Sequence, residues 1–182
     1  SRRPWQDHPD RGDLPAPGAG AGRRRDALRR HRPRAGGADP GEAVADIRDA
    51  ESGRPVHSLY GERRAPDPEV LKNLDALVFD IQDIGTRFYT YISTMGEAMK
   101  AADEHGKRFL VLDRPNPIGG LVVSGPMLDP ETESFVGFHS LPVRHGMTIG
   151  ELARMFKSEL DLSLELDVIE CEGWERDMLW DD

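Results

Sequence analysis

Leu77-Val78-Phe79-Asp80-Ile81-Gln82-Asp83-Ile84-Gly85-Thr86-Arg87-Phe88-Tyr89-Thr90-Tyr91 is the stretch on which the fold turns. It is entered through Asp75-Ala76, and Ala76 to Phe79 is an apolar run too short for a helix and bounded by charge, the pattern of a buried strand. The run breaks into Asp80, Gln82, Asp83, Gly85 and Arg87. In open α/β sheets ligands bind beyond the carboxyl ends of parallel strands, so polar residues crowded there mark a candidate site. Taken singly, Asp80 and Asp83 read as caps of the next helix, with Arg87 paired to one of them, since Asp is a common N-cap. Taken together, two Asp, a Gln, an Arg and two Tyr exceed what one cap requires.

Working outward, Tyr89 to His105 is predicted to be helical, because Tyr91, Met95, Ala98, Met99 and Ala102 recur at three- and four-residue spacing. Gly106 is its stop. Arg108-Phe109-Leu110-Val111-Leu112 is the next strand and ends in Asp113-Arg114-Pro115-Asn116-Pro117. Two successive strands thus finish in Asp and Arg at one edge of a sheet. Upstream, Val56-His57-Ser58-Leu59-Tyr60 alternates as a short strand, and Asp67-Pro68-Glu69 has the form of a helix start. This strand–helix–strand order predicts a parallel pair between residue 56 and residue 80. Downstream, Leu121 to Gly125 is a predicted short strand. Thr148 and Glu151 form a capping box for a helix whose buried stripe is Ile149, Leu152, Ala153, Phe156 and Leu160. Arg144 and His145 stand just before that helix, where an anion or a sugar hydroxyl would meet free peptide N–H groups. Leu164 to Ile169 alternates as a last strand. The fold class is α/β with a parallel sheet.

Bulk properties bound the function. The 182 residues suffice for one domain with a core. A formal net charge of -9 argues against a general nucleic-acid or membrane-surface role, and no apolar run approaches a membrane span. The single Cys171 excludes an internal disulfide and a multi-cysteine metal site, and it reads as a small, partly buried residue. No glycine-rich phosphate loop follows either strand, since Gly119-Gly120 come after a proline-rich loop without G-x-G-x-x-G.

Residues 1–41 differ from the rest. They hold ten Arg, no Lys and five Asp, with Trp5, Leu14 and Leu28 as the large apolar residues. Such a composition is expected to be disordered, since it buries too little surface to offset chain entropy. A basic arm for nucleic acid is a weaker reading, because aromatic residues are not interleaved. A third reading is a GC-rich gene translated out of frame.

Four stretches taken together resemble the exo-β-N-acetylmuramidase (NamZ-like) family, formerly the domain of unknown function DUF1343. They are Phe79 to Tyr91, Leu112 to Gly120, Pro142-Val143-Arg144-His145-Gly146-Met147-Thr148, and Glu172-Gly173-Trp174-Glu175-Arg176. The similarity runs from about Glu42 to Asp182. It implies a partial Rossmann-like catalytic domain over residues 42–182, ahead of a smaller auxiliary domain that is absent here. The implied reaction is hydrolysis releasing N-acetylmuramic acid from the non-reducing end of peptidoglycan fragments, the expected partners, with no cofactor and no metal. An exported or periplasmic address is implied by that substrate.

Glycoside hydrolysis uses a carboxylic acid and commonly a second carboxylate. The family's favoured acid is the Glu of a Gly-Pro-Glu-His-Gly motif, and its place here holds Leu28-Arg29-Arg30-His31-Arg32-Pro33-Arg34-Ala35-Gly36. GC-rich codons for Arg-Pro-Arg-Ala, read one base later, give Gly-Pro-Glu followed by Gln or His, which is the frameshift expectation made concrete. Asp80, Asp83 and Asp113 remain as candidate catalytic carboxylates. The saccharide-binding candidates are Gln82, Arg87, Tyr89, Tyr91, Arg114, Asn116, Arg144 and His145. Among them Arg87, Arg114 or Arg144 would clamp the lactyl carboxylate, and a Tyr would stack on the sugar. Without the Glu and the auxiliary domain, the chain as written is expected to be inactive. A non-catalytic saccharide-binding module and a degenerate gene product are the competing readings.

Overall fold

The computed structural model describes residues 47–59 and 64–181. The expectations for residues 1–41 lie outside them. The order is β1 (Ile47–Arg48), β2 (Pro55–Val56), α1 (Pro68–Leu71), β3 (Ala76–Phe79), α2 (Tyr91–Glu104), β4 (Arg108–Leu112), β5 (Ser124–Met127), a 3-10 turn (Pro130–Thr132), β6 (Pro142–Arg144), α3 (Ile149–Glu159) and β7 (Leu166–Ile169).

A three-stranded parallel sheet in the order β3-β4-β7 is the centre. Alternation sorts its side chains into two faces. Leu77 and Phe79 pair in register with Phe109 and Val111, which pair in turn with Leu166 and Val168. This row faces Ile92, Met95, Met99, Leu152, Ala153 and Phe156 from α2 and α3, the main core. The fold is therefore an incomplete Rossmann-like α/β layer, as expected. Both helices lie on one face because β3-α2-β4 and β4-α3-β7 wind in the same direction, and right-handed crossovers then share a side.

Several expectations are corrected. The predicted parallel pair involving residues 56–60 does not form. Instead Pro55–Val56 pairs antiparallel with Ile47–Arg48 in a small hairpin, closed by the Asp49 carboxylate accepting from Ser52 N and Oγ. Pro55 lacks the N–H a longer ladder needs, and β3 finds its parallel partner in β4. The strand expected at Leu121–Gly125 is displaced to Ser124–Met127, where it pairs antiparallel with β6, an element the sequence had not indicated. Asp80 and Asp83 do not cap α2: Asp80 stands ten positions before the cap residue Thr90. The predicted capping box at Thr148 and Glu151 is present in full. Among the described residues, no helix is long and apolar enough to cross a membrane.

Candidate active site

The carboxyl edge of the sheet gathers most of the predicted polar residues. Asp80 follows β3 and Asp113-Arg114 follow β4. The two ends meet: Arg114 Nε donates to Asp80 Oδ1 at 2.9 Å. The pair is partly open to solvent, with side chains 40% and 49% exposed.

Asp113 is spent within the fold. Its Oδ2 accepts from Thr148 Oγ1 at 2.9 Å and its Oδ1 from the Gly150 amide at 2.7 Å. Both donors belong to the first turn of α3, whose N–H groups need acceptors. The anion expected at this helix start is thus the chain's own carboxylate. Gly150 is required for the approach, since a Cβ there would stand 2.8 Å from the Asp113 carboxyl carbon and 2.5 Å from Val168.

Asp83 lies deeper. Its Oδ2 accepts from the Gly85 amide at 2.8 Å and stands 3.3 Å from His145 Nε2. The Met147 amide donates to His145 Nδ1 at 3.2 Å, which leaves Nε2, facing Asp83, to carry the ring proton. The Nε2–Oδ2 contact is at ion-pair distance without hydrogen-bond alignment. Asp83 Oδ1, Thr86 Oγ1, Arg144 Nε and His145 Nε2 are buried without a hydrogen-bond partner. These atoms belong to two adjoining segments, linked by the bridge between Thr86 and Arg144. His145, placed by its position at the start of α3, is therefore a buried residue.

The other candidates hold the loops. Gln82 Nε2 donates to Asp83 O and to Pro115 O, at 2.7 and 2.9 Å. Asn116 is buried; its Nδ2 donates to Met147 O at 2.9 Å and its Oδ1 accepts from the Ile118 amide at 3.1 Å. Gly85 has φ +82, and a Cβ there would lie 2.4 Å from Asn116 Oδ1, so only glycine fits this turn. Arg87 does not pair with an aspartate: its Nη1 donates to Pro126 O at 2.9 Å and also to Leu141 O. Arg144 Nη2 donates to Ile118 O. Tyr89 and Tyr91 pack edge to face, 4.7 Å between ring centres. Of the three arginines, Arg114 is the one bound to a carboxylate at the open edge; Arg87 and Arg144 fasten backbone carbonyls.

Arg176 belongs to the fourth motif and lies outside the predicted site residues. Its Nη1 donates to Gly146 O at 3.1 Å, its Nη2 pairs with Glu151, and its carbonyl accepts from the Gly120 amide at 2.7 Å. It ties the Gly119–Gly120 loop to the start of α3. The signal available in the sequence was a Trp-Glu-Arg run after a glycine, too short to reveal its partners. Cys171, just past β7, is half-buried. Burial pushes its thiol up, and the negative charge of Asp113 adds to this. Among the described residues, no group of three or more His, Cys, Asp and Glu side chains is placed to hold a metal ion.

Residues 32–182 match the family described as exo-β-N-acetylmuramidase NamZ, N-terminal. The chain is 54% identical over 147 residues to the peptidoglycan β-N-acetylmuramidase NamZ of Bacillus subtilis (strain 168), covering 81% of this chain and 36% of that protein. Two crystal structures of DUF1343 family proteins from Bacteroides fragilis NCTC 9343 share the fold. One has a TM-score of 0.70 at 50% identity, covering 75% of this chain and 36% of its own; the other has 0.66 at 39%, covering 74% and 38%. The chain thus spans little more than a third of the length of these relatives. All four motifs fall within the matched residues, and the chain belongs to the exo-β-N-acetylmuramidase NamZ family, within its N-terminal part.

Proposed function

We propose that this chain is part of a glycoside hydrolase that releases N-acetylmuramic acid from the non-reducing end of peptidoglycan fragments, and that the carboxyl edge of its sheet forms one wall of the saccharide cleft. The observation that carries this reading is the 54% identity to a peptidoglycan β-N-acetylmuramidase over 147 residues. The partly open Asp80–Arg114 pair supports a substrate-facing role for this edge. A carboxylate on the sugar would compete with Asp80 for the Arg114 guanidinium, which reads carboxylates through its paired donors. Asp80 then becomes the acidic group freed towards the substrate. Asp113 and Asp83 are engaged elsewhere and serve to position the loops. Gln82, Asn116, Arg87 and Arg144 shape the wall, and Tyr89 or Tyr91 would offer a ring to the sugar face.

A second reading, binding without turnover, is favoured by the Arg-Pro-Arg-Ala run where the family carries its Glu. One experiment separates the two. The protein is incubated with muropeptides, and free N-acetylmuramic acid is followed by mass spectrometry while binding of the free sugar is followed by calorimetry. Release establishes the hydrolase in this chain; binding without release assigns it the cleft wall alone. Absence of both release and binding would overturn the proposal. Arg114→Lys is expected to weaken sugar binding by about tenfold, as a point charge replaces a forked one.

A further inference from the structure

Shortly past the fourth motif stands Trp180, a large aromatic residue that the proposed cleft does not use. The segment after β7 folds back along the loop that follows β4: the Gly120 amide donates to Arg176 O at 2.7 Å, and the Trp180 amide to Pro117 O at 2.9 Å. Between these two bonds Leu179 lies over Gly119, where a Cβ would stand 3.3 Å from its Cδ2. Arg176 anchors the segment to Gly146 O and to Glu151. The backbone of Trp180 is thus held in place, while the residue is 77% exposed. Leu121, Val122 and Val123, next on the same loop, are exposed as well. A fixed apolar patch on a surface marks a contact site.

We infer that Trp180 is the platform of a second saccharide subsite, which receives the neutral sugar on the reducing side of the N-acetylmuramic acid. The inference rests on the saccharide reading of the sheet edge and extends it by one ring. Pro117 lies three residues beyond Arg114, so their Cα atoms are at most about 11 Å apart, and the Trp180 amide is bonded to Pro117 itself. A sugar whose carboxylate meets Arg114 therefore has its neighbour within reach of the indole. The two surfaces match: a pyranose offers an apolar C–H face rimmed by hydroxyls, and an indole an apolar ring with one N–H donor at its edge. Charge narrows the choice of ligand. Glu172, Glu175, Asp177 and Asp181 flank the indole in sequence and are exposed. Carboxylates accept hydrogen bonds from hydroxyls and repel a second acid. A neutral ring suits this setting, where another N-acetylmuramic acid or an anionic membrane surface does not. Because the backbone of Trp180 is fixed beforehand, little ordering entropy is lost on binding.

The test titrates the 182-residue protein with free N-acetylmuramic acid and with the disaccharide that joins it to N-acetylglucosamine. Affinities are read by calorimetry, and the indole N–H resonances are followed in parallel. If the chain cleaves the disaccharide, KM from initial rates takes the place of the affinity. The disaccharide is expected to bind about tenfold tighter than the monosaccharide, the scale of one aromatic contact. It should also shift the Trp180 indole resonance, which the monosaccharide leaves in place. Trp180→Ala should abolish the gain and keep the monosaccharide affinity, while Trp180→Phe keeps part of the gain. The amide of Trp180, not its ring, bonds Pro117, so both variants should melt as the parent does. Equal affinities for the two sugars, an equal loss of both in Trp180→Ala, a disaccharide affinity indifferent to that substitution, or an indole already buried by self-association would overturn the subsite and leave the Arg114 reading standing. Binding of neither sugar would overturn that reading, and the subsite with it.

Discussion

His145 Nε2 stands 3.3 Å from Asp83 Oδ2, joining the loop after β3 to the loop before α3 through two buried side chains. Removing the ring leaves a carboxylate in the interior with one oxygen already unpartnered. His145→Ala is expected to destabilise the protein by about 3 kcal/mol, since an abandoned buried charge costs more than the contact itself contributes. Urea unfolding of the variant beside Asp83→Asn checks this. The Asn variant should lose less, because it removes the charge that the histidine faces.

Asp113 serves the first turn of α3 through Thr148 and Gly150. Asp113→Ala should cost about 2 kcal/mol, at the upper end of cap replacements, with faster amide exchange beginning in α3 and spreading no further than β7. A loss shared equally by α2 would show that the carboxylate does not act through this helix.

Gly96 lies in α2 beneath the Phe138 ring, and a Cβ there would come within 2.2 Å of it. Gly96→Ala should therefore expel Phe138 and its loop at a cost of about 1–3 kcal/mol, the range for overpacked cores. The gain in helix propensity, about 1 kcal/mol, is too small to reverse the sign. Quenching or shift of the Phe138 ring resonances reports the displacement directly.

The Cys171 thiol is held above its ordinary value by burial and by Asp113. A raised folded value means that its contribution to stability is complete below the unfolded pKa and is lost as pH rises through the folded one. Alkylation by iodoacetamide should be slow at neutral pH, with an inflection above the ordinary thiol range near 9. Asp113→Asn should move that inflection down. An inflection unchanged from that of a free thiol would refute the assignment.

Re-sequencing the gene across residues 1–41 is expected to recover a shifted frame encoding Gly-Pro-Glu-His-Gly near Arg32-Pro33-Arg34-Ala35. Closed alternative frames would exclude the frameshift reading and leave the arginine-rich run as the protein's own.

The sequence was legible where periodicity and packing agree. The apolar runs at Ala76–Phe79 and Arg108–Leu112, and the helical stripes of α2 and α3, became the core because each buries one continuous row. The capping box at Thr148 was legible because both of its partners lie within four residues. That Asp80, Asp113 and Arg114 come to one edge of the sheet was foreseeable from parallel strand ends alone. What each of them bonds was not. Arg87 reaches carbonyls 39 and 54 positions away, and Asp113 reaches an amide 37 positions away. Such partners depend on how the chain returns and leave no local trace. The β5–β6 pair escaped notice for the same reason, since Pro126 and Gly125 depress strand propensity and the pairing is made by distant chain.

The register of the parallel sheet sets an order on the formation of the fold. Leu77 meets Phe109 across a single helical connection, whereas Phe109 meets Leu166 only after the whole β5–β6 excursion and α3 have been traversed. Closing the longer loop costs more entropy before any contact rewards it. The β3-α2-β4 half is therefore expected to form first, with β7 arriving late. Substitutions in α2 should slow refolding, while substitutions in β7 should chiefly hasten unfolding.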